Sequence, residues 1–239
     1  MTLNYQSPEL SPKKLARIGG IIYLIIIISG AFGEMMVRSK LVVFGDPQAT
    51  ALNIMASPLL WRAGILGDLL MQLCDVPLIV IFYVLLKPVN RNLALMNLLF
   101  NLIQTAVLVA NKLNLILPMF LLENSEYLKT FDASQLQTLS YLFIRLHNYG
   151  FGVGLLFFAF VCLVEGHLIA TSGFFPALLG RLLQLAGVCY LVNSVLLIIH
   201  PEWSDLLILL PCFVAELALG LWMLIKGVDE PQWKRIAGN

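Results

Sequence analysis

Six stretches of this chain, roughly 15–37, 59–86, 92–122, 135–171, 176–199 and 204–226, are apolar over about 20 residues or more. No other feature constrains the fold as much. A run of that length and composition crosses a bilayer, and a backbone in hydrocarbon must satisfy its own hydrogen bonds, so each run is read as a helix. The chain as a whole agrees: 59% of its 239 residues are hydrophobic and 12% are charged. A soluble domain carries about twice that charge and would lack the polar surface to cover itself here. The expected fold is all-α: a polytopic bundle of six transmembrane helices with a short extracytoplasmic helix after the first. The parts are a tail over 1–13, the bundle over 14–228 and a second tail over 229–239.

The segments between the runs are turn signals: "FGDPQAT", "KPVNRN", "ENSEYLKTFDAS", "TSGFFP" and "HPEWSD". In the first of them Asp46 precedes Pro47, a helix-start pattern that places the short helix between Asp46 and Met55. Lys13, Lys14, Arg17, Lys87, Arg91, Arg181, Lys226, Lys234 and Arg235 fall on the side of the termini. Arg38, Lys40, Arg62, Lys112 and Lys129 fall on the other side, together with the acids Asp46, Glu123, Glu126, Asp132, Glu202 and Asp205. The positive-inside rule then puts both termini in the cytosol of a plasma (inner) membrane protein. Trp61, Tyr83, Tyr127, Tyr141 and Trp203 sit near the predicted interfaces. No cleavable signal pattern is seen at the N-terminus.

Several function classes fall away. A net charge of +1 without a basic stripe leaves nothing for nucleic acid. The four cysteines, Cys74, Cys162, Cys189 and Cys212, form no CxxC pair and read as small apolar residues. No GxSxG, HExxH or HxxxH occurs, so neither a serine nucleophile nor a zinc site is indicated. No cofactor and no metal are expected.

Polar residues inside the apolar runs are what remains. Asp68, Gln72 and Asp75 are spaced i, i+4, i+7 and share one face of the second span, with Pro77 directly after. Asn97, Asn101, Gln104 and Asn111 form a stripe on the third. Arg145 and His147 lie in the fourth, about 200° apart around the helix, and Glu216 lies in the sixth. Glu34 and Arg38 close the first span as an i, i+4 pair. Charge in hydrocarbon costs roughly 2.5–3.5 kcal/mol per residue on insertion scales, so these groups are expected to face the bundle interior or water. Their depths sketch a cavity that opens outward and ends near the midplane. Within it Asp68, at the depth of Arg145, is expected to pair with Arg145, leaving Asp75 deeper and without a partner. The plainer reading is that such pairs only tie helices together.

"ARIGGIIYL", "GEMMVRSKLVVFGDPQATALNI", "GILGDLLMQLCDVPL", "YVLLKPVNRNLALM", "HNYGFGVGLLFFAFVCL" and "PCFVAELALGLWMLIKGV" occur in that order over about 14–228. They resemble the bacterial domain-of-unknown-function family 4386. The resemblance implies a small bacterial polytopic membrane protein and carries over no activity and no catalytic residue. In "CLVEGHLI" the chain departs from that pattern, with Glu165 and His167 where neutral residues are expected.

Three functions follow as candidates. The first is binding or transport of a small, lipid-like or cationic molecule in the cavity, by one bundle or by an oligomer in the lipid bilayer. The second is an intramembrane metal-dependent hydrolase, for which one deep histidine is thin. The third is a structural or regulatory subunit without a ligand.

Overall fold

The computed structural model describes residues 11–123, 125–204 and 206–238, so the tail over 1–10 and the loop acid Asp205 lie outside the described residues. Within them there is no strand. Six helices are long and apolar enough to cross a membrane: α1 Pro12–Leu41, α3 Pro58–Leu86, α4 Arg91–Leu122, α5 Ala133–Thr171, α6 Ala177–Ile199 and α7 Leu207–Ile225. Shorter helices include α2 Pro47–Ala56 and α8 Glu230–Ala237.

Helix starts follow local chemistry. Ser11, Asp46, Asn90, Asp132 and Asp229 each cap a helix with a side-chain oxygen that accepts from a backbone N–H in the first turn. Proline, whose missing N–H costs nothing there, opens α1, α2 and α3. At Asp132 the cap is reciprocal: Gln135 N donates to Asp132 Oδ1, and the Gln135 side chain accepts from Asp132 N. α5 therefore begins in one piece at Ala133, and Ser134–Leu139 is continuous with the span rather than a separate interfacial turn. Its 39 residues run about 58 Å at 1.5 Å each, well beyond a hydrocarbon core of about 30 Å. α3 continues as helix through Pro77.

The spans close into a ring in chain order. α1 packs on α3, α3 on α4, α4 on α5, α5 on α6, α6 on α7, and α7 returns to α1. Glycines permit the tightest crossing. A Cβ on Gly166 of α5 would lie 2.5 Å from the Gly180 carbonyl oxygen of α6, and one on Gly180 would lie 2.3 Å from that of Gly166. Large apolar side chains such as Ile21, Ile28, Leu66, Leu73 and Val80 point outward, as lipid contact requires. Apolar clusters plug both ends of the ring. Leu85, Leu86, Leu168, Phe174 and Met223 fill the end that carries the termini. Val37, Leu41, Trp61, Leu115 and Ile144 fill the opposite end, beside α2. We call these the terminal face and the loop face. On the terminal face, Trp233 of α8 donates its indole N–H to the Leu85 carbonyl at 2.9 Å, fastening the predicted tail to the end of α3.

Candidate functional site

Between the two apolar plugs the interior is polar, and its polar groups fall into two sets. The first lies toward the loop face. Asp68, fully buried on α3, accepts from Arg38 Nη1 at 2.7 Å and from Lys112 Nζ at 3.0 Å on the same oxygen, Oδ2. Arg38 Nη2 reaches the other oxygen at 3.4 Å, while its Nε donates to Glu34 Oε2 at 2.8 Å. Lys112 Nζ also lies 3.3 Å from His147 Nε2. An ammonium can only donate, so Nε2 accepts and the ring proton sits on Nδ1, which makes no hydrogen bond. Asn111 donates to the His147 carbonyl at 2.9 Å and accepts from Asn114 at 2.9 Å. Two cations thus face two carboxylates, and the set is charge-balanced.

Local backbone irregularity places these groups. Residues Phe32–Arg38 form a π-helical turn inside α1, a rare widening that is frequent at functional sites. Gly33 in that turn is required by space, because a Cβ there would lie 2.3 Å from Asp68 Oδ1. α4 is interrupted at Lys112, whose N–H bonds three residues back to Val109 rather than four. Both cations on Asp68 therefore come from points where a helix is not regular.

The second set lies deeper. A narrow cavity of about 40 Å³ is lined by Asp75 of α3, Asn101 of α4, Glu165 of α5, Glu216 of α7 and Tyr23 of α1, with apolar side chains around them. Glu165 Oε2 accepts from the Asn97 amide at 2.9 Å, and Glu216 Oε1 accepts from the Tyr190 hydroxyl. Among the described residues none of the three carboxyls takes part in an ion pair. Asn101 is nine-tenths buried, and its amide has no hydrogen-bond partner among the described residues. Gln72 stands between the two sets on α3, 2% exposed, and neither of its amide atoms makes a hydrogen bond. Asp68 and Asp75 are about 10 Å apart along the helix axis at 1.5 Å per residue.

The sites expected from sequence thus divide. Glu34, Arg38, Asp68, Asn111 and His147 belong to the loop-face set, and Asp75, Asn101 and Glu216 to the cavity. Gln72 and Gln104 are buried nearby, the latter accepting from the Thr105 hydroxyl at 3.3 Å. Arg145 is a correction. It does not meet Asp68; its guanidinium lies 4.9 Å from the Phe44 ring centre, in the loop after α1. With His147 turned inward, a residue two positions earlier is turned away, and Lys112 and Arg38 already fill both sides of the carboxylate. The outward opening is a second correction. Asp68, Lys112 and His147 are 0%, 1% and 2% exposed, so the loop-face half is packed with charged side chains instead of forming an open vestibule. Glu165, Tyr190 and Lys112 are interior groups that the sequence reading left out of the site.

The domain-of-unknown-function family DUF4386 matches residues 18–227, nearly all of the bundle. The chain belongs to this family. A relative from Archaeoglobus fulgidus, described as an uncharacterized protein, is 23% identical over 164 residues, covering 69% of this chain and 83% of the relative. No solved structure matches. The chain is a membrane-embedded helical protein of a family whose description carries no activity, so the interior chemistry must speak for the function.

Proposed function

We propose that this DUF4386 protein binds and carries a small cationic solute through the plasma (inner) membrane, with both termini in the cytosol. One observation carries the reading: three carboxyl side chains from three different helices border one small cavity in the middle of the bundle, and among the described residues no cationic side chain pairs with them. A carboxylate desolvated without a counter-charge costs several kilocalories per mole, so each such group must take up a proton or meet a cation. Such an arrangement fits a bundle whose missing positive charge arrives as a ligand. The volume of about 40 Å³ is room for an ion or a group of a few atoms and too small for a lipid chain, so a cationic ligand is favoured over a lipid-like one. The loop charges support the orientation, since nine lysines and arginines from Lys13 to Arg235 lie on the terminal side.

The test is uptake. Purified protein in vesicles of phosphatidylethanolamine and phosphatidylglycerol is offered radiolabelled sodium, rubidium or methylammonium. The carrier reading expects at least one of them to accumulate faster than in protein-free vesicles, with the excess lost in Asp75→Asn. Uptake no faster than in protein-free vesicles for all three contradicts it. The reading as a helix-tying subunit has support of its own in the Asp68 network, which is packed and charge-balanced, and in the Asn97–Glu165 and Tyr190–Glu216 hydrogen bonds, but it leaves Asp75 without a role.

A further inference from the structure

We propose that the mid-bundle cavity is an exchange site, occupied in turn by protons and by one partly hydrated alkali-metal cation, with Asp75 as the carboxyl that trades one for the other. The proposal rests on the carrier reading and specifies its ligand.

The surroundings of the cavity are uniform in sign. The titratable groups that face it are Tyr23 from α1, Cys162 and Glu165 from α5, and Glu216 from α7, together with Asp75 itself. Just behind them lie Cys74 beside Asp75, and Tyr190 and Cys212 beside Glu216. Every one of these groups is neutral or negative. Three ionised carboxylates therefore cannot share the cavity unless a proton or a metal cation compensates them. Either species supplies positive charge, and the volume does not hold both with their water.

The three acids are not equivalent. Glu165 and Glu216 are each held by a neutral donor, the Asn97 amide and the Tyr190 hydroxyl. Asp75 has only the nearby Thr105 hydroxyl and stands on the cavity side of Gln72. Of the three it is the one least tethered by hydrogen bonds. Asn101 also lines the cavity, is nine-tenths buried and has no hydrogen-bond partner among the described residues, which makes its amide oxygen a ready neutral ligand for a hard cation. Among the described residues no three Asp, Glu, His or Cys side chains converge closely enough to chelate a metal. The cation would thus keep water, and a volume of about 40 Å³ accepts an ion with one or two waters. A divalent ion, which needs six or more close oxygens, fits poorly.

The step balances simply. The O–H bond of the protonated Asp75 carboxyl breaks, its oxygen takes the cation, and the proton leaves to solvent. No redox partner is involved.

The experiment is proton release on cation binding. Detergent-purified protein in weak buffer near pH 7 is titrated with NaCl or KCl against choline chloride at equal ionic strength, and a pH dye counts protons. Sodium or potassium is expected to release protons saturably, up to one per chain, and choline to release none. Asp75→Asn is expected to abolish the release while eluting as the same folded species. Asn101→Ala, which removes a ligand but no titrating group, is expected to raise the half-saturating cation concentration at least fivefold. Release that is no greater with alkali cations than with choline, or equal release from Asp75→Asn, overturns the proposal. Should Asp75→Asn misfold, an Asn101→Ala titration identical to that of the wild type overturns it as well. The outcomes separate the two claims. Uptake without proton release keeps the carrier and removes the exchange, and proton release without uptake keeps the exchange site and removes the carrier.

Discussion

Asp68 and Asp75 sit on one face of the same helix, about two turns apart, and live in opposite electrostatic worlds. Asp68 is met by two cations on one oxygen and shares one of them, Arg38, with Glu34, so its charge is cancelled where it stands. Asp75 meets two further acids across a small cavity, and among the described residues no cation pairs with any of them. The contrast teaches that buried charge in a bundle does two jobs. A balanced network fastens helices, because removing any one member strands the others. An unbalanced one holds a place for a mobile charge.

The largest effect expected from that contrast is on folding. Asp68→Asn leaves Arg38 and Lys112 buried without their shared carboxylate, and breaking such a pair costs about 3–5 kcal/mol. Denaturant or thermal unfolding in detergent should show that loss, and an unfolding midpoint unchanged from wild type would remove the scaffold role. Next comes Gly33→Ala. Its new methyl would fall 2.3 Å from Asp68 Oδ1, so the π-turn or the ion pairs must shift, at about 1–3 kcal/mol by analogy with overpacked cores. Wild-type stability in that variant would mean that the close fit of α1 on α3 is loose. Arg145→Ala removes only a contact with Phe44, worth about 0.5–1 kcal/mol when exposed, and the same unfolding assay should find it far milder than Asp68→Asn. A loss equal to that of Asp68→Asn would restore Arg145 to the network.

The smallest effect is local and pH-dependent. Asp132 caps α5 outside the membrane span, and the Gln135 backbone N–H, then the Ser134 hydroxyl, hold its carboxyl below its usual range. A carboxyl whose folded-state pKa is depressed stabilises above its ordinary value near 4, and that contribution fades as pH falls through the lower, folded value. Hydrogen exchange at the first turn of α5 should therefore speed up on acidification, and Asp132→Ala should show the faster exchange already at neutral pH. Protection in that turn that ignores both changes would mean that the cap does not hold it.

Much of the scaffold is legible in the sequence, because hydrocarbon and helix caps act locally. The six runs, the Asp46 cap of α2 and the pairing of Glu34 with Arg38 need only spacing and residue type. What was not legible depends on which neighbour wins. Matching depth alone paired Asp68 with Arg145, whereas His147 and Arg145 cannot both face inward, and the buried stripe on α4 ends in Lys112. In the sequence Glu165 stands out only as a departure from the family pattern. Yet it lies 18 residues after His147, five full turns, and so on the same inward face of α5. That period was the available signal. The cavity itself carries none, since no local rule records that three acids on α3, α5 and α7 converge once the ring closes.

The division of labour between the two aspartates is tested most directly by thermal unfolding of wild type, Asp68→Asn and Asp75→Asn, each in sodium chloride and in choline chloride at equal ionic strength. A cation that binds only the folded bundle raises its melting temperature. Wild type should melt higher in sodium. Asp68→Asn should melt well below wild type in both salts. Asp75→Asn should match or exceed wild type in choline and gain nothing from sodium. A large loss for Asp75→Asn in choline with none for Asp68→Asn, or a full sodium response in Asp75→Asn, would contradict the assignment of Asp68 to the scaffold and Asp75 to the cation.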